Sequence, residues 1–460
     1  MTAIDESAFV YENAYVLKAY SSEGELIMLS WLGFLMVALF MYLIMSKRLS
    51  ALVALIVVPV IFALIGGFGA DIGDMMLTGI KQIAPTGIML LFAILYFGIM
   101  MDAGLFEPLV AKILKIVKGD PLKVIVGTAI LSSLVALDGD GTTTYMITVS
   151  AMLPLYQRLG IKPMILAVVP MLALGVMNMA PWGGPTARAM SVLNLDASQL
   201  FTPVIPAMIG GLAWVIFVAC MLGKRERKRL GVIDLSQDHT VDLAAGEMAA
   251  AGDSLKRPRL IWFNLILTVV LMVCLIMSFL PLPILFMLAF AVALLVNYPK
   301  MEEQKERISA HAGNALATVS MVFAAGIFTG ILTETKMIDA MSNTIVSLIP
   351  DALGSHMPVL VALTSMPFTY FMSNDAYYFG VVPILANAAA AYGVDPVEIG
   401  RASILGQPLH VLSPLFAAQY LLIGMVGVDY GETQRFILKW AFGTSIVMIV
   451  IAILTGVISL

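Results

Sequence analysis

The chain has 460 residues, 60% of them hydrophobic and 12% charged, with a formal net charge of −4. Soluble domains sit near ~45–50% and ~25% on those counts, so the composition excludes an ordinary soluble enzyme or binding module and points to a polytopic membrane protein. The small net charge carries no nucleic-acid signal, because most charges are confined to loops. Cys220 and Cys274 both lie in apolar stretches and form neither a disulfide framework nor a CxxC site. The four histidines (His239, His311, His356, His410) are scattered, so no resident cofactor is expected.

Residues 1–26 are largely polar and acidic, lack the pattern of a cleavable signal peptide, and read as an extracytoplasmic N-terminal extension. Apolar runs at 27–46, 51–70, 84–102, 162–180, 201–222, 261–280, 283–298, 309–331 and 435–459 read as spanning helices. Two regions differ. Residues 121–157 hold two short apolar halves around Asp138-Gly139-Asp140-Gly141-Thr142-Thr143-Thr144, and residues 356–391 hold two around Ser373-Asn374-Asp375. Each half of the first pair is about half the ~20 residues of a spanning helix. Carboxylates inside a membrane segment cost roughly 2.5–3.5 kcal/mol each on insertion scales, so a functional reason is expected. Two further segments are interrupted: 162–199 at Pro181-Trp182-Gly183-Gly184-Pro185, and 396–428 at Gly406-Gln407-Pro408 and again at Ser413-Pro414. Gly and Pro release backbone groups that lipid cannot satisfy, so such breaks must line a protein cavity.

The order of events repeats. Each half runs through three spans, an amphipathic piece (105–118, then 334–349), a two-part hairpin, a broken span and a final span. The halves are 27–222 and 261–460, joined by a linker, 223–260, that opens on Lys224-Arg225-Glu226-Arg227-Lys228-Arg229. With hairpins that enter and leave on one side, each half crosses five times and the two are inverted. Placing both termini outside puts all but five of the 26 basic residues inside; the exceptions are Lys18, Lys81, Arg188, Lys336 and Arg401. This positive-inside bias is independent of the apolarity that defines the spans. The expected fold class is an all-α polytopic membrane protein of two inverted repeats, each with a re-entrant hairpin and a broken helix. That pattern points to a secondary transporter with a midplane site, in which the hairpin tips approach each other.

Four stretches, LDGDGTTTYMITVSAMLPLYQRLG (137–160), PWGGPTARAM (181–190), MSNDAYYFGVVPIL (372–385) and GQPLHVLSPL (406–415), resemble the citrate–divalent metal/proton symporter family, part of a superfamily that includes sodium-coupled dicarboxylate carriers. The resemblance runs from about Ile27 to the final span. It implies an elevator fold with a dimerising scaffold and a moving transport domain, set in a bacterial inner membrane. It also implies import of citrate or a related tricarboxylate as a Mg²⁺ or Ca²⁺ complex, with protons. The metal is then part of the substrate. Citrate near neutral pH is close to a trianion, and one divalent cation lowers its desolvation penalty.

The residues themselves carry a compatible chemistry. Gly139 and Gly141 free the backbone at the first tip, Thr142, Thr143 and Thr144 offer hydroxyls, and the following half-helix presents its N-terminal amides to an anion. Asp138 and Asp140 could hold a coupling proton or touch the metal; Asp140 also reads as a helix N-cap. Ser373, Asn374 and Asp375 form the matching second tip, with Asp375 a further coupling candidate and Asn374 a further metal-facing one. Gly184, Thr186 and Arg188 follow the first break. The guanidinium suits a carboxylate, or alternatively pairs with Asp138 or Asp140 or snorkels outward. Gln407, His410 and Ser413 occupy the second break, where His410 reads as a proton relay or a packing residue. Asp102 reads as interfacial. The competing functions are a sodium-coupled di- or tricarboxylate carrier, a passive anion channel and an intramembrane aspartyl hydrolase using Asp138 and Asp140.

Overall fold

The computed structural model describes residues 6–117, 119–232, 255–277 and 279–460, and among these residues every regular element is helical. The first stretch forms α1 (Glu6–Met45), α2 (Ala51–Ile65), α3 (Ile72–Asp102) and α4 (Glu107–Val117). Then come α5 (Pro121–Val135), α6 (Gly141–Leu159), α7 (Pro163–Met177), α8 (Gly184–Leu193), α9 (Ala197–Leu200) and α10 (Ile205–Leu230). After the linker follow α11 (Ile261–Ile276), α12 (Leu282–Asn297), α13 (Met301–Glu334), α14 (Met337–Leu348) and α15 (Asp351–Gly354). The chain ends with α16 (Met357–Phe371), a π-helical turn (Ala376–Val381), α17 (Val382–Ala390), α18 (Pro396–Ile404), α19 (Gln407–His410), α20 (Ala417–Val426) and α21 (Tyr430–Leu454). Seven helices among the described residues are long and apolar enough to cross a membrane, which makes this a multi-pass membrane protein.

Helix ends follow local chemistry. Asp120 caps α5 through the Leu122 amide at 3.0 Å, with Pro121 in the first turn, where a missing N–H costs nothing. Gly160 closes α6 in a left-handed conformation, and Asp395 and Asp429 cap α18 and α21.

Several bounds differ from the sequence expectation. α1 begins at Glu6, so most of the expected extension 1–26 is helix continuous with the first span; residues 1–5 lie outside the described residues. The basic run 224–229 completes α10 rather than opening a linker, and most of that linker, 233–254, lies outside the described residues. The arms of the first hairpin are also longer than half-spans: α5 with its terminal turn reaches 18 residues and α6 has 19. The apolar run of the second arm covers only the middle of α6, whose first turn, 141–144, and last turn, 157–159, are more polar.

α7 is the buried centre, with every residue from Ile165 to Met177 buried. α5, α6, α10 and α20 pack around it. α3 and α13 run against each other at very close range: a Cβ on Gly79 would stand 1.9 Å from the Gly326 carbonyl oxygen, so glycine is required there. This contact places the inner part of α13 beside the first hairpin's tip.

Candidate functional site

The first tip is built by its own backbone. After a 3₁₀ turn at Ala136–Asp138, Gly139 adopts φ 78°, a left-handed conformation that L side chains rarely enter. The Asp138 carboxylate accepts the Asp140 amide at 2.9 Å. Asp140 in turn caps α6, accepting the Thr143 amide at 2.8 Å and the Thr143 hydroxyl at 2.6 Å. The break between α7 and α8 is fastened to this tip by Trp182, whose Nε1 donates to the Leu137 carbonyl at 2.7 Å. The indole packs against Phe97 and Phe286. Thr186 clamps the break internally, donating to the Met179 carbonyl at 2.8 Å.

Arg188 lies one turn into α8. Its Nε donates to Asp375 Oδ1 at 2.7 Å and its Nη1 to the Gly184 carbonyl at 2.9 Å. The expected ion-pair partners, Asp138 and Asp140, are therefore replaced by the aspartate of the second tip, because the turn at 376–381 packs against α8. Of the five guanidinium N–H groups, two have partners among the described residues, which leaves three for a ligand.

A cavity of about 410 Å³ opens between the first tip, α8, α3 and α13. Such a volume falls in the ~300–1,000 Å³ range of small-molecule sites. Asp138, Gly139, Asp140 and Thr143 form one wall, Gly184 and Arg188 a second, and Trp182 and Phe97 an aromatic part. The remaining wall is α13, with His311, Asn314 and Thr318 at i, i+3 and i+7. Sequence reasoning did not single out these three, although polar residues at helical spacing inside the apolar run 309–331 were a usable signal.

The other expected site residues lie outside the cavity lining. Thr142 is exposed on α6, and Gly141 is packed so that a Cβ would stand 2.8 Å from the Phe416 ring. Thr144 is buried and turned back to the Asp140 carbonyl at 2.7 Å. At the second tip Ser373 accepts the Ala376 amide at 3.1 Å, a local cap. Asn374 accepts from Gln407 Nε2 at 3.3 Å, and that same nitrogen reaches the Tyr378 hydroxyl at 2.9 Å, while the buried Gln407 Oε1 has no partner among the described residues. His410 is buried, with Nδ1 on the Thr369 carbonyl at 2.7 Å and its ring on Phe416, the packing arrangement rather than one facing the cavity. Ser413 bonds the Leu415 amide at 3.2 Å. The structure thus gathers Asp138, Asp140, Thr143, Gly184, Arg188 and, through the ion pair, Asp375. Gln407, His410 and Ser413 act in a separate buried layer.

An all-helical, multi-pass membrane protein whose broken helices enclose a polar cavity has the build of a carrier for small solutes. The family model described as Citrate transporter (CitMHS) matches residues 26–406, and the chain belongs to that family. It is 65% identical over 432 residues to a protein of Bacillus subtilis (strain 168) named "Citrate transporter", covering 94% of this chain and 100% of that one. It is 57% identical over 434 residues to the "Mg(2+)/citrate complex secondary transporter" of the same organism, with the same coverage. Among solved structures, Neisseria gonorrhoeae MtrF, described as illuminating a class of antimetabolite efflux pumps, matches with a TM-score of 0.52 at 13% identity, covering 85% of each chain. That likeness concerns the fold alone. The family is one of transporters, and the chain is not an enzyme, which closes the aspartyl hydrolase reading.

Proposed function

We propose that this protein carries citrate across the bacterial cytoplasmic membrane as a complex with Mg²⁺ or Ca²⁺, inward and together with protons. The observation that carries the reading is the sharing of one cavity by Asp138, Asp140 and Arg188. A free tricarboxylate entering there would meet two carboxylates and one guanidinium already paired with Asp375. A metal–citrate complex resolves the conflict: its cation, through its water shell, suits the aspartates, and a free carboxylate arm suits the remaining Arg188 donors. The family membership and the name of one Bacillus relative support citrate, and the name of the other supports its magnesium complex.

In this reading the two helix pairs α5–α6 and α16–α17, each followed by a broken helix, are inverted re-entrant hairpins. They move as one body against a scaffold that includes α3 and α13 and is dimeric, with both termini outside. The test is uptake of labelled citrate by proteoliposomes with Mg²⁺, Ca²⁺, Na⁺ and a proton gradient varied one at a time. Uptake should require a divalent cation and be driven by the proton gradient. Uptake that needs Na⁺ and ignores divalent ions would overturn it in favour of a sodium-coupled carrier, and flux without accumulation would favour a channel.

A further inference from the structure

The α13 wall of the cavity holds a carboxylate–imidazole pair that the proposed function does not use. Asp102 Oδ2, at the end of α3, is hydrogen-bonded to His311 Nε2 at 2.8 Å and accepts from Arg307 Nη1 at 3.2 Å. A carboxylate paired with a guanidinium is an acceptor, so Nε2 carries the hydrogen. Nδ1 is then the ring position that differs between the neutral and charged forms. It has no partner among the described residues. The ring sits in a slot cut for it: a Cβ on Gly98, itself a lining residue, would stand 2.6 Å from both Cγ and Nδ1. An α3–α13 tie would be complete with Arg307 and Asp102 alone, and it would not need an imidazole at the cavity.

We infer that His311 is the proton-binding, anion-facing residue of the cavity, positioned by Asp102 and by the space above Gly98. The groups that set its charge are Asp102 from α3, Arg307 (itself paired to Glu306 at 2.7 Å) from α13, and across the cavity Asp138, Asp140 and Arg188. With Arg188 paired to Asp375, the two tip aspartates leave the cavity short of positive charge. A proton on Nδ1 adds a cation beside the cargo's free carboxylate. Proton and anion then raise each other's affinity by the same factor, since coupling between two sites is reciprocal.

This inference rests on metal–citrate being the cargo, and the experiment separates the two. Heat of Mg²⁺–citrate binding to the detergent-solubilised full chain is measured at fixed complex concentration in buffers of different ionisation heat, which gives the protons taken up per complex bound. Wild type should take up protons. His311→Gln should still bind, about 5–100-fold more weakly, with proton uptake reduced by up to one proton per site. Gly98→Ala, which displaces the ring without touching its chemistry, should lower uptake in the same direction, so the inference survives a misfolded His311 variant as a testable one. Proton uptake equal to wild type in whichever of the two variants folds overturns it. Absence of any Mg²⁺–citrate binding by wild type overturns the proposed cargo instead.

Discussion

Arg188 and Asp375 join the first broken helix to the second tip, and a double-mutant cycle on this pair separates fastening from cargo binding. The two side chains are 21% and 16% exposed, so the pair lies between two regimes. Fully exposed pairs contribute ~0–1 kcal/mol, whereas removing one partner of a buried pair costs ~3–5 kcal/mol. Arg188→Met leaves the Asp375 carboxylate in a largely buried position without its donor and should destabilise by about 2–3 kcal/mol. Asp375→Asn keeps an acceptor for Nε and should cost about 1 kcal/mol. The double variant leaves no charge unpaired, so its stability should return to within about 1 kcal/mol of wild type. Its affinity for Mg²⁺–citrate should not return, because three N–H groups of Arg188 are left for the cargo; a lost charged contact of ~2 kcal/mol corresponds to about 30-fold in Kd. Thermal unfolding midpoints and equilibrium binding on the four proteins give both quantities. If the double variant recovers affinity along with stability, Arg188 is a fastener only. If Arg188→Met is as stable as wild type, the pair behaves as a surface one and the burial argument fails.

Three further outcomes follow from the same geometry. Gly139→Ala forces a left-handed backbone at φ 78° and brings a methyl to 3.1 Å from Trp182 Cδ1. A cost of ~1–2 kcal/mol should show as a lowered unfolding midpoint and slower uptake, and an unchanged midpoint would contradict the strained tip. Trp182→Phe keeps an aromatic against Phe97 and Phe286 but loses the bond to Leu137, costing ~1 kcal/mol, while Trp182→Ala should cost ~3–5 kcal/mol; denaturant unfolding distinguishes the two, and equal losses would deny the hydrogen bond a role. Asp140→Asn retains a capping side chain, so stability should fall by less than ~1 kcal/mol, whereas the Mg²⁺ concentration for half-maximal uptake should rise at least tenfold; a wild-type Mg²⁺ dependence would remove Asp140 from the cation-facing wall.

The helices and the first tip were legible because lipid makes polarity informative. Asp138 and Asp140 stand out in an apolar stretch, and Gly139 and the Pro181–Pro185 segment mark where a helix cannot continue. What depends on packing was not legible. Nothing in the spacing of Arg188 chooses Asp375 over Asp138; that choice comes from the turn at 376–381 folding against α8. His311 and Asp102 are 209 positions apart, and the close packing of α3 against α13 brings them together. The second arm of the first hairpin outruns its apolar stretch because apolarity ends before the helix does: Gln157 and Arg158 continue α6 to Leu159 with polar side chains.

The placement of Arg188 bears on how binding and movement are joined in such a carrier. Its Nε holds the second tip, its Nη1 holds the start of its own helix at Gly184, and the residue lines the cavity shared with the first tip. A carboxylate that engages the remaining donors draws charge from a guanidinium already committed to Asp375, so cargo and second tip compete for one cation while sharing one position. On the proposed reading, an empty site keeps the second tip fastened by the ion pair, and a filled one trades part of that fastening for cargo contacts. A ligand can shift a conformational equilibrium only by its differential affinity for the two states, and this shared guanidinium is a place where that difference can arise. The consequence is measurable: Asp375→Asn should bind Mg²⁺–citrate as tightly as wild type or tighter, because the competitor is weakened, yet transport it more slowly. A variant that binds more weakly and transports in proportion would show that Asp375 supports the cargo rather than competing with it.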